Sequence, residues 1–195
     1  MQADIHMFKV LPHRLQHCHD VALSMSKAST MQLQQLKAQL AAEMGAPVGI
    51  HTMGIPAAFS TLGITISLAI PQLWLGYCIL SVLHQPAESV FAWVVLISLL
   101  IAGINGITMF MIGKGSMHAV RVHIMLAVMS LVLTVVYLLY ALSDASYPGV
   151  NLTAALVGVI MLLLSGVCIH STAFYKMLLF TLHNRAWRQL IKLTR

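Results

Sequence analysis

Two histidines lie inside apolar stretches of this sequence, where an ionisable side chain is unusual. His123 stands in the third long apolar run and His170 in the fourth. Ionisable groups within a membrane usually face the interior of a helix bundle and often have a functional role. Two neutral imidazoles can act as axial ligands of a b-type haem, or can hold a metal ion or a quinone headgroup. We therefore take His123 and His170 as candidate cofactor-binding residues, with haem b as the candidate cofactor.

The two histidines also share a depth when the apolar runs are treated as helices. His123 is 19 residues from Leu142, and His170 is 19 residues from Asn151. At a rise of about 1.5 Å per residue, each lies roughly 28 Å from the far end of its run. Further polar residues fall within about two helical turns of this level. They form a predicted polar layer of Thr65, Asn105 and Thr108.

Other interpretations of these residues stay open. Both imidazoles could lie at the membrane boundary and reach water or hydrogen-bond to Asn105, with no ligand. The thirteen methionines could supply soft ligands for copper, but methionine also fills irregular gaps in apolar packing, so we predict no metal site. The sequence has five acidic residues and no glycine-rich nucleotide loop or nucleophile motif. We predict no catalytic residue and expect that the protein is not an enzyme.

The elements that carry these residues belong to an integral membrane protein. The chain has 195 residues, of which 59% are hydrophobic and 8% charged, and its mean hydropathy is +0.87. Soluble domains carry roughly 25% charged residues. The net charge of +6 does not indicate a nucleic-acid partner, because the basic residues flank apolar runs and do not cluster on one face. The lipid bilayer is therefore the first expected partner.

Four apolar runs are long enough to cross a membrane, which takes about 20 residues of helix. The predicted spans are about residues 55–83, 89–112, 119–142 and 150–175. Pro71 falls within the first span and should kink it, because proline removes a backbone hydrogen bond. The fold class is thus an all-α integral membrane protein, with a four-helix transmembrane bundle between residues 55 and 182.

The distribution of positive charge predicts the orientation. All 11 Lys and Arg residues lie before the first span, at the second link around Lys114, or after the fourth span. Positively charged loops face the cytoplasm. Both termini and the second link are therefore expected in the cytoplasm, and a bacterial inner (plasma) membrane is the expected location.

The two ends of the chain are predicted to be amphipathic. Residues 1–54 form a cytoplasmic segment with a helix from His13 to Met44, whose leucines recur at helical spacing. The apolar stripe of that helix could contact the membrane surface, a partner, or the rest of the same chain. Residues 183–195 form a basic tail that resembles an interfacial helix.

Pairs of small residues four positions apart occur in three of the spans. They are Gly63 and Ser67, Ala102 and Gly106, and Ala154 and Gly158. Small residues at this spacing let helix backbones approach closely in lipid. Each pair therefore marks a candidate helix–helix contact.

The third span also resembles known membrane proteins. Residues 114–140, with Arg121, His123 and Met125, are similar to the third span of small four-helix proteins that assist the maturation of haem–copper oxidases. They are also similar to the histidine-bearing spans of two-haem membrane cytochromes of the b type. The resemblance covers less than a fifth of the chain. In this sequence the arginine precedes the histidine, and the first span lacks the internal histidine that a two-haem arrangement needs.

Three functions remain as hypotheses. The first is a non-enzymatic accessory protein that binds other membrane protein subunits, such as an assembly factor, a small complex subunit or an immunity-type protein. The second is an electron carrier that holds haem b or a metal between His123 and His170. The third is a small transporter that works as an oligomer, because four helices rarely enclose a path alone. An absent acidic residue at mid-membrane depth argues against proton coupling in the third.

Overall fold

The computed structural model describes residues 2–45, 54–143 and 147–193, with side chains described from residue 11 onward. Within these ranges the chain is helical and has no strand. The helices are α1 (Gln2–Met25), α2 (Thr30–Met44), α3 (Ile55–Ala69), α4 (Gln72–Val82), α5 (Ser89–Gly113), α6 (Met117–Ser143), α7 (Leu152–His170) and α8 (Thr172–Leu193).

Four helical segments are long and apolar enough to cross a membrane. They are Ile55–Val82, Ser89–Gly113, Met117–Ser143 and Leu152–His170. The predicted all-α membrane bundle with four candidate spans is confirmed, and the chain is a multi-pass membrane protein. The first span consists of α3 and α4, and the others are α5, α6 and α7.

Pro71 interrupts the first span, as predicted, between α3 and α4. A backbone carbonyl left without its helical partner is costly in lipid, where no water can replace it. Pro71 has no N–H for the Ser67 carbonyl oxygen, and at the next position the buried Gln72 side chain donates a hydrogen bond from Nε2 to the Leu68 carbonyl oxygen at 2.8 Å. The break in the span is thus stabilised from within the chain.

The end of the fourth span differs from the predicted boundaries. The prediction extended this span to about residue 175 and placed a separate tail at 183–195. In the structure α7 ends at His170, and one helix, α8, runs from Thr172 to Leu193. Ser171 separates the two helices, and its hydroxyl accepts a hydrogen bond from the backbone N–H of Phe174, as an N-terminal capping residue does.

Most of the apolar residues that follow Ser171 belong to a protein core. Phe174, Met177 and Leu178 are buried, and α8 packs against both α1 and α2. Apolar composition alone cannot distinguish a lipid-facing side chain from a core side chain. For this reason, the prediction from sequence placed the end of the fourth span beyond His170.

The N-terminal segment contains two helices where one was predicted. The chain leaves the helix after Met25 and enters α2 at Thr30. Ser29 starts α2 with a capping box, in which its hydroxyl accepts from the Gln32 N–H and the Gln32 side chain accepts from the Ser29 N–H. Leu33, Leu40 and Met44 are the buried residues of α2. The sequence left three possible contacts for the apolar stripe of this segment: the membrane surface, a partner, or the rest of the chain. In the structure, α2 packs against α8 of the same chain.

The chain divides into two compact units. The span unit comprises residues 59–107 and 122–166, and the terminal unit comprises residues 1–58, 108–121 and 167–195. Residues 46–53, which belong to the predicted N-terminal segment, lie outside the described ranges.

An aromatic cluster forms one end of the core of the span unit. Trp74, Tyr137, Ala141 and Ala155 are buried together, and the Trp74 and Tyr137 rings lie 5.8 Å apart. The Tyr137 hydroxyl donates to the Gly149 carbonyl oxygen at 3.2 Å and accepts from the Asn151 N–H at 3.0 Å. This tyrosine therefore fixes the turn that leads into α7.

Candidate functional site

His123 lies at a buried polar site in the span unit. Its side chain is fully buried on α6, and its Nε2 lies 2.8 Å from the Ser60 hydroxyl oxygen. The same hydroxyl lies 3.2 Å from the hydroxyl oxygen of Ser165. Ser60, His123 and Ser165, which we call the serine–histidine cluster, thus form a continuous hydrogen-bonded chain.

Three helices of the span unit contribute to the serine–histidine cluster. Ser60 belongs to α3, His123 to α6 and Ser165 to α7. Both serines, like His123, are fully buried. A polar group in lipid has no water to bond with, so it must find partners inside the protein. The cluster therefore provides polar contacts that hold three spans together in one arrangement.

The small residues of α3 and α7 bring these helices close. A Cβ atom added at Gly63 would lie 2.5 Å from the Met161 carbonyl oxygen and 3.0 Å from the Ser165 Cβ. One turn further on, the Ser67 hydroxyl donates to the Gly158 carbonyl oxygen at 2.8 Å. The small pair of the first span thus packs on the small-residue face of the fourth. Only a hydrogen atom fits at Gly63, and this close approach allows Ser60 and Ser165 to meet.

Two residues of the predicted polar layer are in contact. The Asn105 side chain donates from Nδ2 to the Thr65 hydroxyl at 2.9 Å, and that hydroxyl donates to the Thr61 carbonyl oxygen at 2.8 Å. The structure thus brings Asn105 and Thr65 together. Thr108 is also buried, but it belongs to the terminal unit.

His170 is placed differently from His123. It is the last residue of α7, it is half-buried, and it belongs to the terminal unit. The pairing of His123 with His170 as ligands of one cofactor stays a prediction. Among residues 2–45, 54–143 and 147–193, no group of three His, Cys, Asp or Glu side chains is placed to hold a metal ion.

Sequence reasoning missed Ser60 and Ser165, the two hydroxyls that contact each other beside His123. A serine in an apolar run is common, and its type gives no indication of depth or direction. One signal was present: Ser60 precedes Gly63 by three residues and Ser67 by seven, so the three share one face of a helix. A polar stripe of this kind on an apolar helix marks the buried side.

The terminal unit has a polar contact of its own between α1 and α2. The His17 Nε2 lies 3.2 Å from a carboxylate oxygen of Glu43. Cys18 follows His17 in the chain. Burial raises the pKa of the Cys18 thiol to about 12, and the negative charge of Glu43 raises it further. Cys18 is therefore a protonated thiol in the core of this unit.

Comparison of this chain with protein-family models, with curated proteins and with solved structures finds no match.

Proposed function

We propose that this chain is a non-enzymatic accessory subunit that binds a transmembrane helix of another membrane protein through α5. An assembly factor, a small complex subunit and an immunity-type protein all belong to this class. One observation carries the proposal. Of the three small-residue pairs in the spans, two lie on helices that approach each other inside the chain, and the third is open.

The open pair is Ala102 and Gly106 on α5. A Cβ atom added at Gly103 or Gly106 would meet nothing within 4 Å, in contrast to Gly63. Ala102 is exposed. Leu99 and Ile107, which lie one turn before and one turn after Gly103, are each 68% exposed. We call this surface, formed by Leu99, Ala102, Gly103, Gly106 and Ile107, the α5 notch.

The position of α5 in the bundle supports the same function. Only 11% of the most apolar window of α5 is buried, against 44% for the first span. Ser98 is exposed one turn before Ala102, so it extends the row of small residues and adds a hydroxyl to a lipid-facing surface. Association in lipid depends on close van der Waals packing and on hydrogen bonds between helices, and a row of small residues favours both.

The buried polar groups of the span unit support a structural role for its interior. His123, Ser60 and Ser165 bond to one another, and Asn105 bonds to Thr65. These contacts join helices of the same chain and give the bundle the rigidity that an accessory subunit needs to present a fixed outer surface.

Site-specific photo-crosslinking tests the proposal. A photoreactive amino acid at Ile107, in the native membrane, should give an adduct with one distinct membrane protein. The same amino acid at Leu163, which is 64% exposed on α7, is the control and should give none. A further experiment places the photoreactive amino acid at Leu99. Gly103→Leu combined with Gly106→Leu should then lower the yield of the adduct about tenfold. Val128→Leu on α6 should leave that yield unchanged.

Two outcomes would overturn the proposal. An adduct between two copies of this chain would show that the α5 notch is a homodimer contact. Equal adducts from Ile107 and Leu163 would show contacts by lateral diffusion only.

The electron-carrier alternative based on His123 and His170 has its own test. A reduced-minus-oxidised absorption spectrum of the detergent-purified protein from haem-replete cells would show a Soret band and an α-band if haem b is bound. If those bands appeared and were lost in His123→Ala and in His170→Ala, the electron carrier would replace the accessory subunit as the proposed function.

We also propose a bacterial inner membrane with both termini in the cytoplasm. Ten of the 11 Lys and Arg residues lie at the termini or at the second link, and Arg121 lies near the start of α6, close to that link. This distribution supports the proposed orientation. A reporter fused after Arg195 should be active in the cytoplasm, and one inserted after Gln85 should be active on the other side. The reverse pattern would contradict the orientation.

A further inference from the structure

A basic groove lies in the terminal unit, where α8 meets the link between α5 and α6. It has a volume of about 430 Å³ and is lined by Lys114, Arg185, Arg188, Gln189 and Lys192. Four of the five lining side chains are cationic, and none is a carboxylate. A groove with this lining attracts an anion, since the like charges otherwise repel one another.

The chain builds the groove through a close contact between Gly115, in the link between α5 and α6, and α8. Gly115 has a positive φ of 77°, and a Cβ atom there would lie 2.9 Å from the Thr181 carbonyl oxygen on α8. Only glycine combines this backbone conformation with so close an approach. The link between the spans is thereby held against α8, and Lys114 is placed beside the arginines.

Backbone carbonyls orient both arginines. The Arg185 Nη1 donates to the Gly115 carbonyl oxygen at 3.1 Å, and the Arg188 Nη2 donates to the Lys114 carbonyl oxygen at 3.0 Å. Each bond uses one of the five N–H donors of a guanidinium. The two forks therefore keep donors for a ligand, and their planar geometry suits the paired oxygens of a phosphate group.

The position of the groove favours a lipid phosphate over a soluble one. Lys114 directly follows Gly113, the last residue of the α5 span, and Met117 begins the α6 span. The ends of membrane spans lie at the level of the lipid headgroups. The Lys114 Nζ lies 4.2 Å from the centre of the Phe110 ring, one turn back along α5, so this ammonium stays beside the end of the span.

The surface of α8 next to the groove also suits a membrane interface. Trp187 is 50% exposed and Ile191 is 37% exposed, and they stand beside Arg188 and Lys192 in the sequence. Tryptophan is enriched at membrane–water boundaries, because its ring is apolar and its N–H is polar. A helix with basic and aromatic residues side by side is typical of contact with anionic lipids.

From these observations we infer that the basic groove binds the phosphate of an anionic phospholipid headgroup. Lys114, Arg188 and Lys192 supply the attracting charge, and Arg185 is the half-buried donor that sets the position of the phosphate. The binding is separate from the α5 notch, because the notch belongs to the span unit and the groove to the terminal unit.

Lipid titration of the full chain in detergent, followed by native mass spectrometry, tests this inference. The probes are phosphatidylglycerol, phosphatidylcholine and inorganic phosphate. Phosphatidylglycerol should bind at least tenfold more tightly than phosphatidylcholine, and its affinity should fall as the salt concentration rises. Inorganic phosphate at millimolar concentration should not displace it.

A matched pair of double variants locates the site. Lys114→Gln with Lys192→Gln removes two exposed ammonium groups of the groove and should weaken phosphatidylglycerol binding about tenfold. Lys27→Gln with Lys37→Gln removes the same charge elsewhere in the terminal unit and should leave the affinity unchanged. Both leave the arginine–carbonyl bonds intact, so the fold is preserved.

Three results would overturn the inference. Equal affinity for phosphatidylcholine would show general lipid adhesion. Displacement by millimolar inorganic phosphate would show a site for a soluble anion. Equal losses in the two double variants would show a dependence on net charge only.

Discussion

The Nε2 atom of His123 lies 2.8 Å from the hydroxyl oxygen of Ser60, a residue 63 positions earlier in the chain. The two residues are fully buried and belong to different spans. Through this contact, a histidine within the membrane-spanning segments joins α6 to α3. Ser60 extends it to Ser165, so one hydroxyl joins α3, α6 and α7.

Replacing Ser60 by alanine should destabilise the span unit. The change removes the hydroxyl that both His123 and Ser165 contact, and hydrogen bonds between membrane helices contribute about 0.6 kcal/mol on average and up to about 1.7 kcal/mol. We expect the free energy of unfolding to fall by about 1 kcal/mol. The measurement is the midpoint of thermal unfolding in detergent, which should be lower in the variant. Ser81→Ala, at an exposed position of α4, is the control. Equal midpoints for the two variants would contradict a structural role for Ser60.

Replacing Gly63 by alanine should be more harmful than the same change at Gly103. The added Cβ at Gly63 would overlap the Met161 carbonyl oxygen, a backbone atom that cannot move without shifting α7. Overpacking of this kind costs about 1–3 kcal/mol. At Gly103 nothing lies within 4 Å, and alanine is about 1 kcal/mol better than glycine in a helix.

The measurement for this glycine pair is the unfolding midpoint of each variant in the same detergent. Gly63→Ala should unfold at a lower temperature than the unaltered protein, and Gly103→Ala at the same or a higher one. If both variants lost stability equally, the close approach of α3 and α7 would not be the cause.

The stability of the terminal unit should fall at high pH because of Cys18. Burial, reinforced by Glu43, raises the pKa of this thiol from its ordinary value of 9.0 to about 12. Between these values the unfolded chain loses the proton and the folded chain keeps it, so alkaline pH favours unfolding. The stability present below about pH 9 is therefore lost progressively toward pH 12.

The test compares unfolding midpoints from pH 8 to pH 11 in the unaltered protein and in Cys18→Ala. The variant should show a shallower decline with pH. Iodoacetamide should label Cys18 slowly in the folded protein at pH 8, because the thiolate reacts and the thiol does not. Rapid labelling under these conditions would contradict the buried, protonated state.

Leu40→Ala should loosen the packing of α2 on α8. Leu40 is 1% exposed, and truncation of a buried leucine costs about 2–5 kcal/mol. Hydrogen exchange should then become faster along α8 and stay unchanged in the span unit. Leu23→Ala, at a side chain that is 56% exposed, should leave exchange along α8 unchanged. If α8 kept its protection in Leu40→Ala, the two helices would not stabilise each other.

Some properties of this protein are determined by sequence alone, because they depend on totals and on local order. Run lengths and hydropathy gave the four spans and the membrane class, and Pro71 gave the break in the first span. These features are determined by residues that are neighbours in the chain. The small-residue pairs were also visible in the sequence. The sequence could not show which pairs pack against another helix of the same chain.

Only the tertiary structure decided which faces meet. Hydropathy could not reveal that residues 172–182 belong to a helix packed on α2, because a core side chain and a lipid-facing side chain are equally apolar. The depth of His123 could be calculated, but its partner Ser60 could not, since rotation about a helix axis is set by neighbouring helices. For the same reason, the contrast between the packed Gly63 and the open Gly103 becomes visible only when the spans are assembled.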